Sequence, residues 1–196
     1  MSSLDHFQAP LDADMEKQRA ELAAIIRRNT AEDGSYATAV GSLFMSRHSQ
    51  NHEFAPVLAQ PALCIMAQGR KEVRLADEFF NYDPLNYLVV SVSMPLSGRV
   101  VDVSPEEPIL AVRLDIGPAE FTALIADAGP LGVPTRPTGR GLYVERLDSA
   151  MLDAVLRLAR LLDTPKDIAM LAPLIRREIL YRLLRSQQGH RLYEIA

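Results

Sequence analysis

The chain has 196 residues, of which 48% are hydrophobic and 23% are charged, and its formal net charge is −4. This length and composition are typical of one globular domain with a sizeable core, or of one domain with an appendage. The acidic balance excludes a general electrostatic attraction to nucleic acid, and the small basic excess after residue 139 does not make a DNA-binding surface by itself.

The N-terminal segment predicts a helix and no targeting signal. It lacks the basic and apolar regions of a signal peptide, and no apolar run in the chain reaches the roughly 18 residues that cross a bilayer. The single cysteine, Cys64, excludes an intramolecular disulfide framework, so we expect a protein of the reducing cytoplasm with no membrane partner. Residues 12–29 are amphipathic, with an apolar face that consists of Met15, Leu22, Ile25 and Ile26.

The middle of the chain predicts a β-rich domain over residues 35–117, after an N-terminal helix and linker at 1–34. Short runs of alternating or continuous apolar residues are separated by Gly and Pro, which favours a sandwich or small barrel. Within 69–90 we expect three short strands joined by two tight turns. The other predicted strands are 62–68, 86–93, 99–103 and 109–116.

The last part of the chain, residues 118–196, predicts a helical region. A helix at 118–129 is followed by a Gly- and Pro-rich loop at 129–141 and by a helix at 150–163, with Asp148 or Ser149 as its N-cap. Residues 164–186 predict two further helical pieces that begin near Pro165 and Pro173.

Sequence evidence for enzyme chemistry is weak. The four histidines are His6, His48, His52 and His190, so the strands offer no converging set of imidazole ligands, and we expect His48 and His52 to lie in a solvated loop. Phosphate-binding glycine motifs and a serine nucleophile elbow are missing from the sequence. We therefore predict no catalytic residues, no metal and no cofactor.

Features typical of a small-molecule site are more visible. Aromatic side chains surround the turn at Asp83 and Pro84, and they either line an apolar pocket or fill the interior of the domain. Cys64 is either a small core residue or a thiol that faces a ligand. The candidate ligand-binding residues are Cys64, Met66, Phe80, Tyr82 and Tyr87.

A broad apolar stripe on the helix at 150–163 predicts a helix–helix interface between two copies of the chain, with Arg157 and Arg160 at its rim. The candidate interface residues are Met151, Leu152, Val155, Leu156, Ala159 and Leu162. Arg113 alternates with the apolar face of its strand, so we expect it to face solvent or to pair with Asp102 or Asp115.

A long collinear pattern resembles the N-terminal domain of AraC-type bacterial transcription regulators over roughly residues 35–195. The matching stretches are "QGRK" at 68–71, "YDP" at 82–84, "LVVSV" at 88–92, "SPEEP" at 104–108 and "LAPLIRREILYRLL" at 171–184. The resemblance implies an α+β fold with a cupin-like β-barrel of the double-stranded β-helix (jelly-roll) type, an N-terminal helix and a C-terminal helical segment. It also implies a domain that senses a small-molecule effector and forms a homodimer.

This sequence departs from the family pattern at two turns and at its C-terminus. The turn after Leu75 and the position of Leu85 lack the usual glycine, and we expect Asn86 to supply the left-handed conformation. The chain ends at "GHRLYEIA", where a full-length member would continue into a DNA-binding domain, so DNA binding is expected only through that domain. Two alternatives remain at this point: a metal-dependent cupin enzyme (an isomerase or dioxygenase), and a purely structural dimerisation module.

Overall fold

The computed structural model describes residues 5–128 and 141–194. Its helices are α1 (Asp5–Asn29), α2 (Pro118–Ala128), α3 (Ser149–Arg160) and α4 (Ile168–Arg185). Its strands are β1 (Gly34–Ala37), β2 (Leu43–His48), β3 (His52–Ala59), β4 (Ala62–Gln68), β5 (Lys71–Leu75), β6 (Glu78–Tyr82), β7 (Asn86–Val90), β8 (Met94–Val100), β9 (Ile109–Asp115) and β10 (Leu142–Arg146). The predicted loop at 129–141 lies outside the described residues, apart from Gly141.

The strands form two antiparallel sheets that face each other. The first sheet has six strands in the order β1-β2-β9-β4-β7-β10, and the second has four in the order β3-β8-β5-β6. This arrangement confirms the predicted α+β fold, and the strands of the predicted cupin-like β-barrel form two facing sheets, which we call the β-sandwich. Consecutive strands such as β4 and β5 lie in different sheets, so the chain crosses repeatedly between the two layers.

The six-stranded sheet is buried on both faces, which explains the near-continuous apolar runs in its central strands. Along β9, Leu110 and Val112 belong to the core that the sheet shares with the helices. Ile109 and Ala111 point the other way and pack between the two sheets. The molecule therefore has three layers: the four-stranded sheet, the six-stranded sheet and the helices.

The helical layer covers the outer face of the six-stranded sheet. Leu22, Ile25 and Ile26 of α1 are fully buried in this layer, as the amphipathic pattern predicts, although α1 begins seven residues earlier than predicted. Asp148 caps α3, because its Oδ1 accepts a hydrogen bond of 2.7 Å from the backbone N–H of Met151. In the described part of the chain, no helix is both long enough and apolar enough to cross a membrane.

Three local predictions are wrong. Strand β10 pairs with β7, so the region after residue 117 is not wholly helical. Pro173 lies inside the continuous helix α4 rather than at the start of a new one, and it is exposed there. Residues 52–59, predicted in part as a solvated loop, form β3 at the edge of the four-stranded sheet.

The segment 69–90 forms the predicted pair of turns between β5, β6 and β7. Its non-glycine residue with a positive φ is Ala76, at 51°, whereas Asn86 starts β7 in an extended conformation, so the prediction for Asn86 is wrong. The second turn needs no left-handed residue, because Asp83 holds it with its side chain. Asp83 Oδ1 accepts hydrogen bonds from the backbone N–H of Leu85 at 2.9 Å and from the side-chain amide of Asn86 at 3.0 Å.

The apolar stripe of α3 is an internal surface of the chain. Its residues pack against α1, α4 and the six-stranded sheet, and the side chains at most 3% exposed are Met151, Leu152, Val155, Leu156 and Ala159. Leu162 is partly buried against the same core. The predicted dimer interface on this helix is therefore wrong. A helix that packs against two other helices and a sheet needs a wide apolar stripe for contacts within its own chain.

Candidate functional site

The space between the two sheets contains four of the five predicted ligand-binding residues. Met66 and Tyr82 are buried there, and Cys64 and Phe80 are partly buried against the same cluster. Tyr87 lies on the opposite face of the six-stranded sheet, in the core shared with the helices. One residue of register decides this difference, since Leu88 and not Tyr87 faces the sandwich interior.

Lys71, which the sequence analysis did not single out, also points into the sandwich. It has the same parity on β5 as Val73 and Leu75, whose side chains pack between the sheets. Its cross-strand partners are Tyr82 on β6 and Val100 on β8, and both are buried in the same cluster. The alternation in "KEVRL" contained this signal, because it places Lys71 on the apolar face of the strand.

Gly98 gives the side chain of Lys71 its room. A Cβ atom at Gly98 would lie 3.0 Å from Lys71 Cε and 3.6 Å from Nζ. Any larger residue at this inward-facing position of β8 would therefore compete with the lysine for the same volume. Because Gly98 has no side chain, the side chain of Lys71 occupies the space above it on the inner face of the four-stranded sheet.

Among the described residues, no carboxylate or other group forms an ion pair or hydrogen bond with the Lys71 ammonium. Burial lowers the pKa of Lys71, nearby Cys64 opposes this shift, and repulsion from Arg113 adds to it. Lys71 as a residue is only partly buried, so water reaches some of its length. The ammonium is thus a charge in a mostly apolar interior without a neutralising partner.

Two further basic side chains, Arg113 and His48, lie near Lys71 at this end of the sandwich. Arg113 pairs with Asp115, with 2.8 Å between Nε and Oδ1, which matches one of the two predicted acids, and it lies 4.2 Å above the ring of Phe44. His48 lies at the end of β2. Its pKa is lowered mainly by burial and, to a smaller extent, by the positive charge of Lys71. The ring of His48 is 6.0 Å from that of His52.

Cys64 is a poor nucleophile in this setting. Burial raises the pKa of its thiol to about 11, although the positive charge of Lys71 partly opposes the shift. A reactive sensor thiol needs a depressed pKa. Of the two roles left open by the sequence, the structure favours a packing or ligand-facing group over a redox-reactive one.

A second concave surface lies outside the sandwich, between the start of α3 and the end of α4. This cleft has a volume of about 790 Å³, and Tyr87 and Ser186 contribute to its walls. Its charged lining residues are balanced in sign: Glu145, Arg146, Asp148, Glu178, Arg182 and Arg185. It has no charge preference, in contrast to the sandwich interior.

In the described residues, no three His, Cys, Asp or Glu side chains come close enough together to hold a metal ion. In the sandwich interior, an ammonium, a thiol and a phenol lie among aliphatic groups, and this combination of an apolar wall with a few polar tips is typical of a small-molecule site.

Helix α4 carries an exposed apolar face on the outside of the helical layer. Met170 is 74% exposed, Leu174 is 64% exposed and Tyr181 is 44% exposed. With Arg177 they follow one another at intervals of four, three and four residues, the spacing of a helix–helix seam. The opposite side of α4 is buried through Ile179, Leu180 and Leu183, among others.

Arg176 fastens α4 to the β-sandwich. Its guanidinium donates to both carboxylate oxygens of Glu120 on α2, with Nε–Oε1 at 3.1 Å, and to Oγ of Ser42 at the turn before β2. Nη2 also donates to the backbone carbonyl of Asp115 at 3.3 Å. The side chain of Arg176 is only 12% exposed, so these contacts are largely shielded from water.

Two solved structures are similar to this chain. Apo ToxT from Vibrio cholerae superposes with a TM-score of 0.53 at 7% identity, over 76% of this chain and 58% of that one. The AraC-like transcriptional activator CuxR gives a TM-score of 0.47 at 12% identity, over 78% and 54%. No curated protein matches the sequence.

This chain spans little more than half the length of these solved structures. Its own sequence matches the family described as the AraC-type transcriptional regulator N-terminus over residues 39–191. The match includes all strands from β2 onward and the helices α2, α3 and α4. The chain therefore belongs to the family of AraC-type transcriptional regulator N-terminal domains.

Proposed function

We propose that this chain is the effector-sensing and dimerising domain of a cytoplasmic AraC-type transcription regulator. The observation that carries the proposal is the sandwich interior, where the buried apolar cluster is interrupted by Lys71 and by the missing side chain at Gly98. A purely structural sandwich gains nothing from a lysine at an inward position, since burying an ammonium costs stability. A ligand that enters between the sheets would contact Met66, Tyr82 and Lys71.

Thermal denaturation with a library of small organic metabolites tests the sensing function. A ligand at 100 times its dissociation constant adds about 2.7 kcal/mol to the free energy of unfolding, which moves Tm by several degrees. Gly98→Ala should reduce the shift, because the added Cβ occupies space beside Lys71 Cε. Gly41→Ala is the matched control, since nothing lies within 4 Å of a Cβ there. A library in which no compound stabilises the wild-type chain contradicts the proposal.

The dimerising function is proposed for the exposed face of α4, with a second copy of the chain as its partner. Asp167 precedes this helix and Arg185 ends it, and neither forms an ion pair with another described residue. In an antiparallel two-fold pairing with Asp167 of one protomer opposite Arg185 of the other, the axis would pass near residue 176, with Leu174 and Tyr181 in the seam on either side of it. The acidic start and basic end of the helix thus make the face complementary to itself in charge.

Light scattering on size-fractionated protein tests the dimer. Leu174→Glu places a charge in the centre of the face and should convert the dimer to monomer. Leu58→Glu is the control. Leu58 is equally exposed, at 64%, but it lies on β3 in the four-stranded sheet and not in the helical layer. A wild-type chain that stays monomeric at its highest attainable concentration contradicts the proposal.

In this scheme the effector acts on α4, and through it on a DNA-binding domain of the whole regulator. An effector shifts such an equilibrium only by its difference in affinity for the two states. Arg176 supplies the physical link that supports this scheme, because it joins α4 to the turn before β2 and to the end of β9. Effector binding and the positioning of α4 are sufficient for this regulation, so the proposed role is non-enzymatic.

A further inference from the structure

The sandwich interior has an imbalance of charge that the fold does not correct. Lys71 points inward without a partner among the described residues, and the nearby Arg113 is already paired with Asp115. Every other inward position of β5 is apolar, namely Val73 and Leu75. A group that binds here and carries a negative charge would neutralise the ammonium, whereas a neutral group would leave it unpaired.

Lysine at this position is not explained by packing or by local charge pairing. A methionine would fill the same volume beside Gly98 without the cost of burying a charge. The carboxylate next to it in sequence, Glu72, lies on the outer face of β5 and accepts a hydrogen bond of 2.5 Å from Arg99 Nε. The ammonium of Lys71, on the inner face of β5, therefore remains available to a negatively charged ligand.

The surroundings of Lys71 also define the rest of the ligand. The adjoining walls are apolar and include Met66, Leu88 and Ile109, all of them buried. A single ammonium is a point charge that suits one carboxylate. Among the residues that the structure describes, the nearby Arg113 is already paired with Asp115, so no second unpaired cation is available for a phosphodiester or a dicarboxylate. Charge and hydrophobicity together describe an organic monocarboxylate with an apolar body.

We propose that the effector of this domain is an apolar monocarboxylic acid whose carboxylate is bound by the ammonium of Lys71 between the two sheets. This inference rests on the proposed sensing function and assigns its ligand class. The carboxylate accepts a charge-assisted hydrogen bond from Nζ, and the apolar body lies along the wall formed by Met66, Leu88 and Ile109. Gly98 keeps the space in which the lysine side chain turns towards its ligand.

Calorimetric titration with matched acids and amides tests the proposal. The probes are octanoate, dodecanoate and 4-phenylbutyrate, each compared with its own primary amide, which has the same body and no charge. A charge-assisted hydrogen bond contributes about 1.5–3 kcal/mol, so we expect at least one acid to bind about 10- to 100-fold more tightly than its amide. Lys71→Met should abolish this preference. Lys17→Met, which removes the same charge from an exposed position on α1, should keep it.

Lysine NMR gives a second readout on the same samples. The chain has three lysines, at 17, 71 and 166, so the signal of Lys71 in ¹³Cε-labelled protein is identified by its loss in Lys71→Met. Binding of the carboxylate should raise the pKa of Lys71 towards that of an ordinary lysine, because an opposite charge favours the protonated form. The signals of Lys17 and Lys166 should not change.

Each other outcome overturns the inference in a distinguishable way. Acids and amides that bind the wild-type chain equally well show a sensor site without an acid preference, so the ligand class fails while the proposed function stands. A preference that survives in Lys71→Met assigns the carboxylate to another cation. If no acid binds, the ligand class is wrong, and the metabolite library then decides separately whether the chain senses any molecule.

Discussion

In the proposed function Lys71 contacts the effector directly, and it should reduce stability when no ligand is bound. Because burial lowers its pKa from the ordinary value of 10.5, the folded chain binds its proton less tightly than the unfolded chain does. The destabilisation caused by Lys71 is therefore fully present at pH values below its folded pKa. It decreases as the pH rises from the folded pKa to 10.5, so the free energy of unfolding increases across this window.

The corresponding prediction compares Lys71→Met with the wild type in urea unfolding. At pH 7 the variant should have a free energy of unfolding about 1 kcal/mol higher, because an unpaired ammonium is replaced by an apolar chain of similar volume. This difference should shrink as the pH approaches 10.5, where the wild-type lysine loses its proton in both states. A variant that is less stable than the wild type at pH 7 would show that Lys71 has a stabilising partner.

Cys64 gives a second prediction at the scale of one residue. With its pKa raised to about 11 from 9.0, the thiolate fraction at pH 8 is roughly 100-fold lower than in the unfolded chain. Alkylation by iodoacetamide, followed by intact mass, should therefore be at least that much slower in the folded protein. The chain has no other thiol, so the same protein in guanidinium chloride is the control. Equal rates in the two conditions would show that the fold does not protect Cys64, and a faster rate in the folded protein would identify it as a reactive thiol.

The sequence predicted individual residues where the pattern alone decides their environment. The pairing of Arg113 with Asp115 and the placement of Cys64 and Tyr82 follow from strand alternation. The role of Tyr87 could not be predicted, because a sheet buried on both faces has apolar residues on each side and gives no sign of which side is the pocket. Lys71 was missed although its parity was readable, since a lysine at the end of a strand usually faces water.

Among the elements, the hairpin of β5 and β6 contains a strained residue at its turn. Ala76 has φ of 51°, a left-handed conformation that costs an alanine roughly 1–2 kcal/mol and costs a glycine nothing sterically. Ala76→Gly should therefore raise the free energy of unfolding by about 0.5–1 kcal/mol, after the greater flexibility of glycine in the unfolded chain is subtracted. Urea denaturation measures the change.

The neighbouring position provides the control for this hairpin. Asp77 does not have a positive φ, so Asp77→Gly offers no relief of strain and should lower stability through backbone entropy alone. Opposite signs for the two glycine variants would confirm that the strain resides at Ala76. Equal losses at both positions would show that the left-handed turn does not persist in solution.

Element type was predicted well and element boundaries less well. Strand β4 occupies the predicted range 62–68, and α3 has its predicted Asp148 cap. By contrast, β10 was missed because five residues after a Gly- and Pro-rich segment resemble a loop until their pairing with β7 is known. The stripe on α3 was assigned to a dimer for a related reason: sequence shows that a helix face is apolar, and only the topology shows which layer covers it.

At the scale of the whole molecule, the helical layer and the β-sandwich must communicate if an effector is to control a distant domain. Lys71 lies near Arg113, and Arg113 pairs with Asp115. The backbone carbonyl of Asp115 in turn accepts a hydrogen bond from Arg176 on α4. Arg176, whose side chain is largely shielded from water, thus links the helical layer to the β-sandwich. Its planar guanidinium holds three elements in one geometry, which a lysine cannot do.

Coupling between ligand binding and dimerisation is the last prediction, and Arg176→Lys is the variant that tests it. A stabilising ligand should change the dimer dissociation constant of the wild type by about 5-fold or more, a typical coupling between two sites, and by reciprocity the ligand should bind the dimer and the monomer with affinities that differ by the same factor. In Arg176→Lys the factor should approach 1, because α4 loses its fixed contact with Glu120 and Ser42.

Arg160→Lys is the matched control for this experiment. Arg160 forms a similar two-bond pair with Glu21, at 2.7 and 2.8 Å, but it joins α3 to α1 and does not touch the β-sandwich. Sedimentation velocity with and without the ligand measures the dimer constant in all three proteins. A coupling factor that is unchanged in Arg176→Lys, or equally reduced in Arg160→Lys, would move the connection away from Arg176 and into the packing of the helical layer as a whole.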